Sequence, residues 1–391
     1  MLDTLDQQPP DALLALIKLY NDDPRVDKID LGVGVYRTDD GGTPVFGAIK
    51  EAERKLVEEQ DSKAYLGPEG DMGFVHALMP FIFGEDPTRG GRIEGMQTPG
   101  GTGAVRLAAA LAHRAGAKRM IVGAPSWPNH AQIIKDLGIE IVSFTHATSD
   151  GLADLDTVKK AIEDSQPGDA ILLHGCCHNP TGIDYTHEQW DEIAAALGNS
   201  ELLPIIDLAY QGLGHGLEDD SYGLRAVLAK VPEALIAYSC DKNFGLYRDR
   251  VGALYVMAEA NGQIDRILSN GHALARANWS MPPDHGAAAV RLVLRDEALT
   301  AMWHNELDGM RDRMRQVRDR LAEAGTVGSL DMTPLGTQNG LFSVLPLTKE
   351  QILKLREDHA VYMAGSGRIN IAGLTMGNIE KFIDALADVT V

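Results

Sequence analysis

The sequence predicts an α/β fold, with a mostly parallel sheet in a large domain and a smaller α+β domain beside it. Short apolar runs alternate with helix-period segments through the middle of the chain, the pattern left by crossover connections in a buried parallel sheet. Further on, this alternation gives way to one long amphipathic stretch. The length of 391 residues, at about 150 residues per domain, argues for roughly two to three domains.

Taken in order, the strand candidates are 119–122 (RMIV), 140–144 (EIVSF), 170–174 (AILLH), 202–206 (LLPII), 235–239 (LIAYS) and 252–257 (GALYVM). Between them, 102–115, 128–137, 154–164 and 187–197 place apolar residues at helical spacing. The last two strands are joined by KNFGLYRDRV, which has little helical pattern, so 252–257 is expected to run antiparallel. From 297 to about 324, Leu299, Met302, Trp303, Leu307, Met310, Met314, Val317 and Leu321 recur at three and four residues. This predicts one helix ending near Gly325. Beyond it come a strand at 340–345 (GLFSVL), a helix at 348–358, a short strand at 368–372 (RINIA) and a helix from Thr375. The large domain is read as 46–310, and the smaller as 1–45 together with 311–391.

Composition narrows the function. Lys plus Arg number 36 against 56 Asp plus Glu, a net charge of −20, which repels phosphate backbones and anionic lipid surfaces. Nucleic-acid and membrane partners are therefore not expected, and an anionic ligand must be caught by a few placed cations. No run approaches the roughly 18 apolar residues of a spanning helix. Of the three cysteines, Cys176 and Cys177 are adjacent and Cys240 stands apart, which is no disulfide framework and fits a reducing compartment. The opening MLDTLDQQPPDALLALIK lacks a basic segment followed by an apolar run and cleavage site, so a cytoplasmic location is expected.

Four segments fall where an open parallel sheet puts its ligands. In TPGGTGAVRLAAA, glycines at 100, 101 and 103 precede a helix whose free N–H groups suit a phosphate, though a plain glycine turn is the competing reading. Asp207 directly follows the apolar run LLPII; it is either a helix N-cap or a carboxylate facing a cation, with Tyr210 three residues on. HGCCHNPTG offers His174, Cys176, Cys177 and His178, but on one extended stretch these point alternately to opposite sides and cannot share a metal ion. The turn after them presents the Asn179 amide. In SCDKNFGLYRDRVGA, Lys242 follows a strand, with Arg248 and Arg250 close by. Most lysines are solvated, but this setting lowers a lysine's pKa and suits Schiff-base chemistry.

A phosphate cradle, an acid for a protonated pyridine nitrogen, an Asn and a Tyr for a phenolic oxygen, and a lysine nucleophile together match the needs of pyridoxal phosphate. The chain resembles the class I pyridoxal-phosphate aminotransferases of fold type I, in the aspartate/aromatic amino acid subgroup. The likeness runs over nearly the whole length, through LGVGVYR, YLGPEG, TPGGTGA, PSWPNH, HGCCHNPTG, DLAYQG, KNFGLYRDRVGA, RANWSMPPDHGA and SGRINIAG.

The resemblance implies roles for individual residues. Lys242 would attach the cofactor and shuttle the proton; Asp207 would pair with the pyridine nitrogen, supported by His130 and His174. Asn179 and Tyr210 would bond the ring oxygen, and Trp127 would stack on the ring. Gly101, Thr102, Ser239 and Arg250 would bind the phosphate. Arg368 would clamp the substrate α-carboxylate, and Gly34 would touch the substrate when the smaller domain closes. Tyr65 and Arg276 would reach the phosphate and the substrate side chain of a neighbouring subunit, which implies a homodimer. The reaction implied is amino transfer between an aromatic or acidic amino acid and 2-oxoglutarate, with no metal.

Three positions depart from the family pattern. Asp241 precedes the lysine where a small hydroxyl is usual, and is expected either to raise the pKa of the attached cofactor's linkage or to turn toward Arg248. Met281 and Ala64 replace asparagines of aspartate-specific relatives, making the substrate side less polar. The competing readings are a strict aspartate aminotransferase, a β-lyase or decarboxylase on the same fold, and a NAD-dependent dehydrogenase. The last lacks GxGxxG after an early strand.

Overall fold

The computed structural model describes residues 2–7 and 12–391. The chain divides into two compact units: one comprises Pro44–Arg313 with Gln338–Gly340, the other Met1–Thr43, Met314–Thr337 and Leu341–Val391.

The larger unit is built on a seven-stranded sheet. From edge to edge its strands are Ile93–Pro99, Val251–Met257, Ala234–Ser239, Leu203–Leu208, Ala170–His174, Arg119–Ala124 and Glu140–Thr145. Only Val251–Met257 is reversed, pairing antiparallel with both neighbours, as its helix-free connection predicts. The other pairings are parallel and joined by helices. The central strands read as continuous apolar runs because helices cover them: the helix Gly100–Arg114 buries Val105, Leu107, Ala108 and Leu111 against Met120, Leu172, Ile205, Leu235 and Leu254. Its alanines let the helix lie close over the sheet.

The sequence does not announce the edge strand Ile93–Pro99. IEGMQTP carries Glu, Gly, Gln and Pro, all poor in strands, and becomes extended by pairing along its whole length with Val251–Met257. Residues 338–340 join this unit through the Asn339 N–H, which donates to the Gly182 carbonyl at 2.8 Å, and the Asn339 amide, which donates to Asp184 at 3.2 Å. The long amphipathic stretch is one helix, Glu297–Glu323, and the division between units falls within it.

In the smaller unit, Phe342–Val344 pairs antiparallel with Arg368–Asn370, and Ile29–Asp30 pairs with Val361–Tyr362 in parallel. Helices Lys349–His359 and Ile379–Val389 flank them, the first opened by a Thr348–Gln351 capping box. The C-terminal helix begins four residues past Thr375, whose N–H bonds the Asn378 side chain at 2.8 Å. Among the described residues no helix is long and apolar enough to cross a membrane.

Candidate active site

The strands that share one direction end at Pro99, Ala124, Thr145, His174, Leu208 and Ser239, and the reversed strand begins beside them at Val251. Chemistry-bearing residues therefore leave one edge of the sheet together: Gly101 and Thr102, Trp127 and His130, Asn179, Tyr210, Lys242 and Arg250. Asp207 stands on its own strand opposite His174 in register.

Asp207 is buried, and His130 Nε2 lies 2.9 Å from its Oδ2. Burial alone pushes the carboxyl up; the hydrogen bond from His130 and the electrostatic pull of its neighbours, Lys242 among them, more than offset it and hold the acid below its ordinary value. His130 is oriented from behind by Ser126 Oγ, 2.9 Å from its Nδ1, and Ser126 also lies 3.0 Å from His174 Nε2. His174 thus reaches Asp207 through Ser126 and His130. Ser126 was not singled out in sequence, because nothing in PSWPNH marks a hydroxyl that joins two histidines 44 residues apart (130 and 174).

A column of imidazoles continues away from the acid. His174 lies 4.2 Å from His178, and His178 stacks on His146 at 3.6 Å with 7° between planes. Burial holds His174 down to about 3 and keeps His178 and His146 below the ordinary histidine value, so the rings are neutral at neutral pH. Cys176, Cys177 and Asp220 gather with ligand atoms within 4.8 Å of one another, a group that includes none of these histidines. Asp220 there already accepts the N–H groups of Gly212, Gly214 and His215.

Lys242 is half-buried, with Nζ 5.0 Å from the Tyr210 ring centre. Burial lowers its pKa against the pull of Asp241 and Asp207, and Arg250 lowers it further. The segment is clamped next door: the Asn243 amide donates to the Gln211 carbonyl and to Tyr238 Oη, and Tyr238 donates to Gln211 Oε1 at 2.9 Å. Asn179 Nδ2 donates to Tyr210 Oη at 3.3 Å, while the buried Asn179 Oδ1 has no hydrogen-bond partner. A polar oxygen left so at an open strand end is set to receive a ligand donor, or an amide nitrogen if the group is flipped.

The start of the helix Gly100–Arg114 forms an anion cradle. Gly100 has φ +71°, and a Cβ on it would lie 2.5 Å from Arg250 Nη2; a Cβ on Gly101 would lie 2.8 Å from Ser239 Cβ. Free N–H groups at this helix end, the Ser239 hydroxyl and the Arg250 guanidinium surround one small space. Asp241 is paired with Arg250, not with Arg248 as one expectation had it. The left-handed backbone of Arg250, φ 57°, turns its side chain back so that it also donates to the Tyr247 carbonyl.

Tyr65 is 95% exposed, and Arg276 is exposed with its guanidinium on Ser280 Oγ at 2.6 Å. Met281 and Leu66 touch through the Met281 sulfur.

In the smaller unit, Arg368 stacks over the Phe342 ring at 4.5 Å and donates to the Gly32 carbonyl at 2.9 Å. Phe342 also crowds Gly34, where a Cβ would lie 2.8 Å from Cζ. The Asn370 amide donates to the Val33 and Val35 carbonyls, pinning the LGVGV segment beside Arg368. Buried Arg318 supports the same strand through Ser343 Oγ and the Phe342 carbonyl, both at 2.8 Å.

Residues 26–386 match the family described as aminotransferase class I and II. A tyrosine aminotransferase of Rhizobium meliloti is 48% identical over 96% of both chains. An aspartate aminotransferase of Escherichia coli is 41% identical over the full length of both. The crystal structure of an aromatic-amino-acid aminotransferase from Burkholderia pseudomallei, covalently bound to pyridoxal phosphate, superposes with a TM-score of 0.96 at 33% identity and full coverage of both chains.

Proposed function

This chain belongs to the class I and II aminotransferases, and on that premise we propose that it exchanges an amino group between an aromatic or acidic amino acid and 2-oxoglutarate, with pyridoxal 5′-phosphate as cofactor. The observation that carries the reading is the meeting of a half-buried lysine, an acid held by histidine and an arginine-lined helix N-terminus at one sheet edge. The unpartnered Asn179 Oδ1 and the glycine cradle, which any Cβ would fill, fit a phosphorylated pyridine.

When bound, the cofactor supplies an aldehyde for the amino group and a ring able to take up the electron pair released at the substrate α-carbon. Asp207, kept ionised, holds a proton on the ring nitrogen, and His130 fixes the orientation of the carboxylate. Asn179 and Tyr210 bond the ring oxygen, and Trp127 covers a ring face. Gly101, Thr102, Ser239 and Arg250 take the phosphate. Lys242, with its pKa lowered by burial, gives up its proton more easily than a solvated lysine, and offers Nζ both as the attachment point and as the base that lifts the α-proton. Arg368 takes the substrate α-carboxylate through its planar fork, and Gly34 contacts substrate through its backbone.

The functional unit in this reading is a homodimer, with Tyr65 reaching the neighbour's phosphate and Arg276 the neighbour's substrate side chain. The exposure of both residues supports it. Ala64 and Met281 make the substrate side apolar enough for a ring. The test is a panel of aspartate, phenylalanine, tyrosine and tryptophan with 2-oxoglutarate. Turnover of both classes is expected; turnover of aspartate alone reduces the reading to a strict aspartate aminotransferase, and turnover of none overturns it.

A further inference from the structure

The anion cradle already contains an anion of its own. Asp241 Oδ2 is ion-paired with Arg250 Nη1, and Oδ1 accepts the Val251 N–H at 3.2 Å. The pair closes over Gly100: a Cβ built there would meet Arg250 Nη2 at 2.5 Å and Asp241 Oδ2 at 3.0 Å. The carboxylate thus lies among the same groups that surround the cradle, and it is almost wholly buried while the guanidinium remains partly exposed.

We propose that Asp241 occupies a phosphate oxygen's place on Arg250, so that a phosphorylated pyridine binds this chain only as Asp241 gives up its negative charge. The inference rests on the proposed cofactor and concerns how tightly, and at what pH, this chain holds it.

The physical argument is a competition between anions. A phosphate entering the cradle brings up to two negative charges against a buried carboxylate, with one guanidinium between them. Two anions in such a space cannot both stay charged cheaply, and the carboxylate, which is enclosed and would lose Arg250 to a phosphate that also has the helix N–H groups, takes the proton. Among the described residues, the charged or titratable groups acting on Asp241 are Lys242 and Arg250, which favour its ionised form, and the Cys240 thiol beside it. The Ser239 hydroxyl contacts its N–H, and Gly100 adds a helix end without a titratable side chain. Burial already pushes the Asp241 carboxyl above its ordinary value despite both cations. The step is then a simple protonation: the carboxylate takes one proton from solvent, its new O–H donates to a phosphate oxygen, and Arg250 is released to the phosphate. No other bond changes. Affinity for the phosphorylated ligand must fall as pH rises, by at most about tenfold per pH unit for one proton.

The test compares the full-length wild type with Asp241→Ser and Asp241→Asn. Pyridoxamine 5′-phosphate is used as the probe because it needs no covalent bond to Lys242, and unphosphorylated pyridoxamine is the control. Equilibrium dialysis from about pH 6 to about pH 9 gives dissociation constants, and calorimetry in buffers of different ionisation enthalpy counts the protons. The expected result is wild-type affinity that weakens with pH relative to both variants, uptake of close to one proton, and tighter binding by the variants at the alkaline end, on the order of tenfold or more. Pyridoxamine should not distinguish the three proteins. Asp241→Asn preserves the shape and an acceptor for the Val251 N–H, so it keeps the comparison valid if Asp241→Ser folds poorly. Parallel pH profiles for wild type and Asp241→Asn, or an equal gain for pyridoxamine, overturn the proposal. Absence of pyridoxamine 5′-phosphate binding in all three proteins overturns the cofactor reading, and this proposal with it.

Discussion

His130 Nε2 stands 2.9 Å from Asp207 Oδ2, with both groups buried at the end of the sheet's central strands. A carboxylate is only an acceptor, so the imidazole donates this bond from Nε2, and Ser126 behind it holds the ring in place through Nδ1. The acid is thereby kept ionised in a place where burial alone would neutralise it.

Asp207→Asn should keep the fold, because an amide can still accept from His130, yet lose turnover by about 100-fold or more, since a neutral amide cannot hold a ring proton. His130→Asn should cost less, about 10- to 100-fold, the worth of one hydrogen bond to a charged group. Steady-state kinetics with matched circular dichroism decides; near-normal turnover in Asp207→Asn would reduce Asp207 to a structural acceptor.

Arg276→Ala should damage turnover of aspartate far more than that of phenylalanine. Losing a charge partner for a desolvated carboxylate costs about 2–5 kcal/mol, or roughly 30-fold and upward in kcat/KM. An aromatic ring gains nothing from the guanidinium and should lose little. Equal losses for both substrates would make Arg276 structural.

The imidazole column predicts acid lability. His174, His178 and His146 have folded pKa values lowered by burial, His174 to about 3, so below the unfolded histidine value of about 6.5 the unfolded chain binds more protons than the native one. The stability they contribute is whole above that value and declines as pH falls, by up to about 1.4 kcal/mol per pH unit for each ring. Urea unfolding at steps from about pH 7.5 to about pH 5 should show this slope, and His146→Phe, which can still stack on His178, should lessen it. A flat profile through that interval would mean the rings are charged or exposed.

The parts legible in the sequence are those whose cause is local. AILLH and LLPII read as buried strands because they are apolar and bounded by turns, and the heptad-like spacing of Leu299 to Leu321 could only be a helix. Asp207, Asn179, Tyr210 and Lys242 were visible because each follows such a strand. What was hidden depends on pairs distant in the chain. IEGMQTP is extended only through its partner strand, and Ser126 matters only because His130 and His174 converge on it. The choice of Arg250 over Arg248 by Asp241 follows from a left-handed backbone at Arg250, which a non-glycine residue does not advertise.

The homodimer has a separate test. If Tyr65 and Arg276 serve the neighbour's site, a mixture of Lys242→Ala and Arg276→Ala chains should form hybrid dimers with one intact site. Aspartate turnover in the hybrids should rise well above that of either parent. No recovery in verified hybrids would place Arg276 in its own chain's site.

The most direct test of the whole account is the fate of Lys242. The full-length protein loaded with pyridoxal phosphate is reduced with borohydride, digested and mapped by mass spectrometry. The account predicts a single pyridoxyl label on Lys242, absent in Lys242→Ala, because burial lowers this lysine's pKa below that of a solvated one. A label on another lysine, or none on wild-type protein, would contradict it.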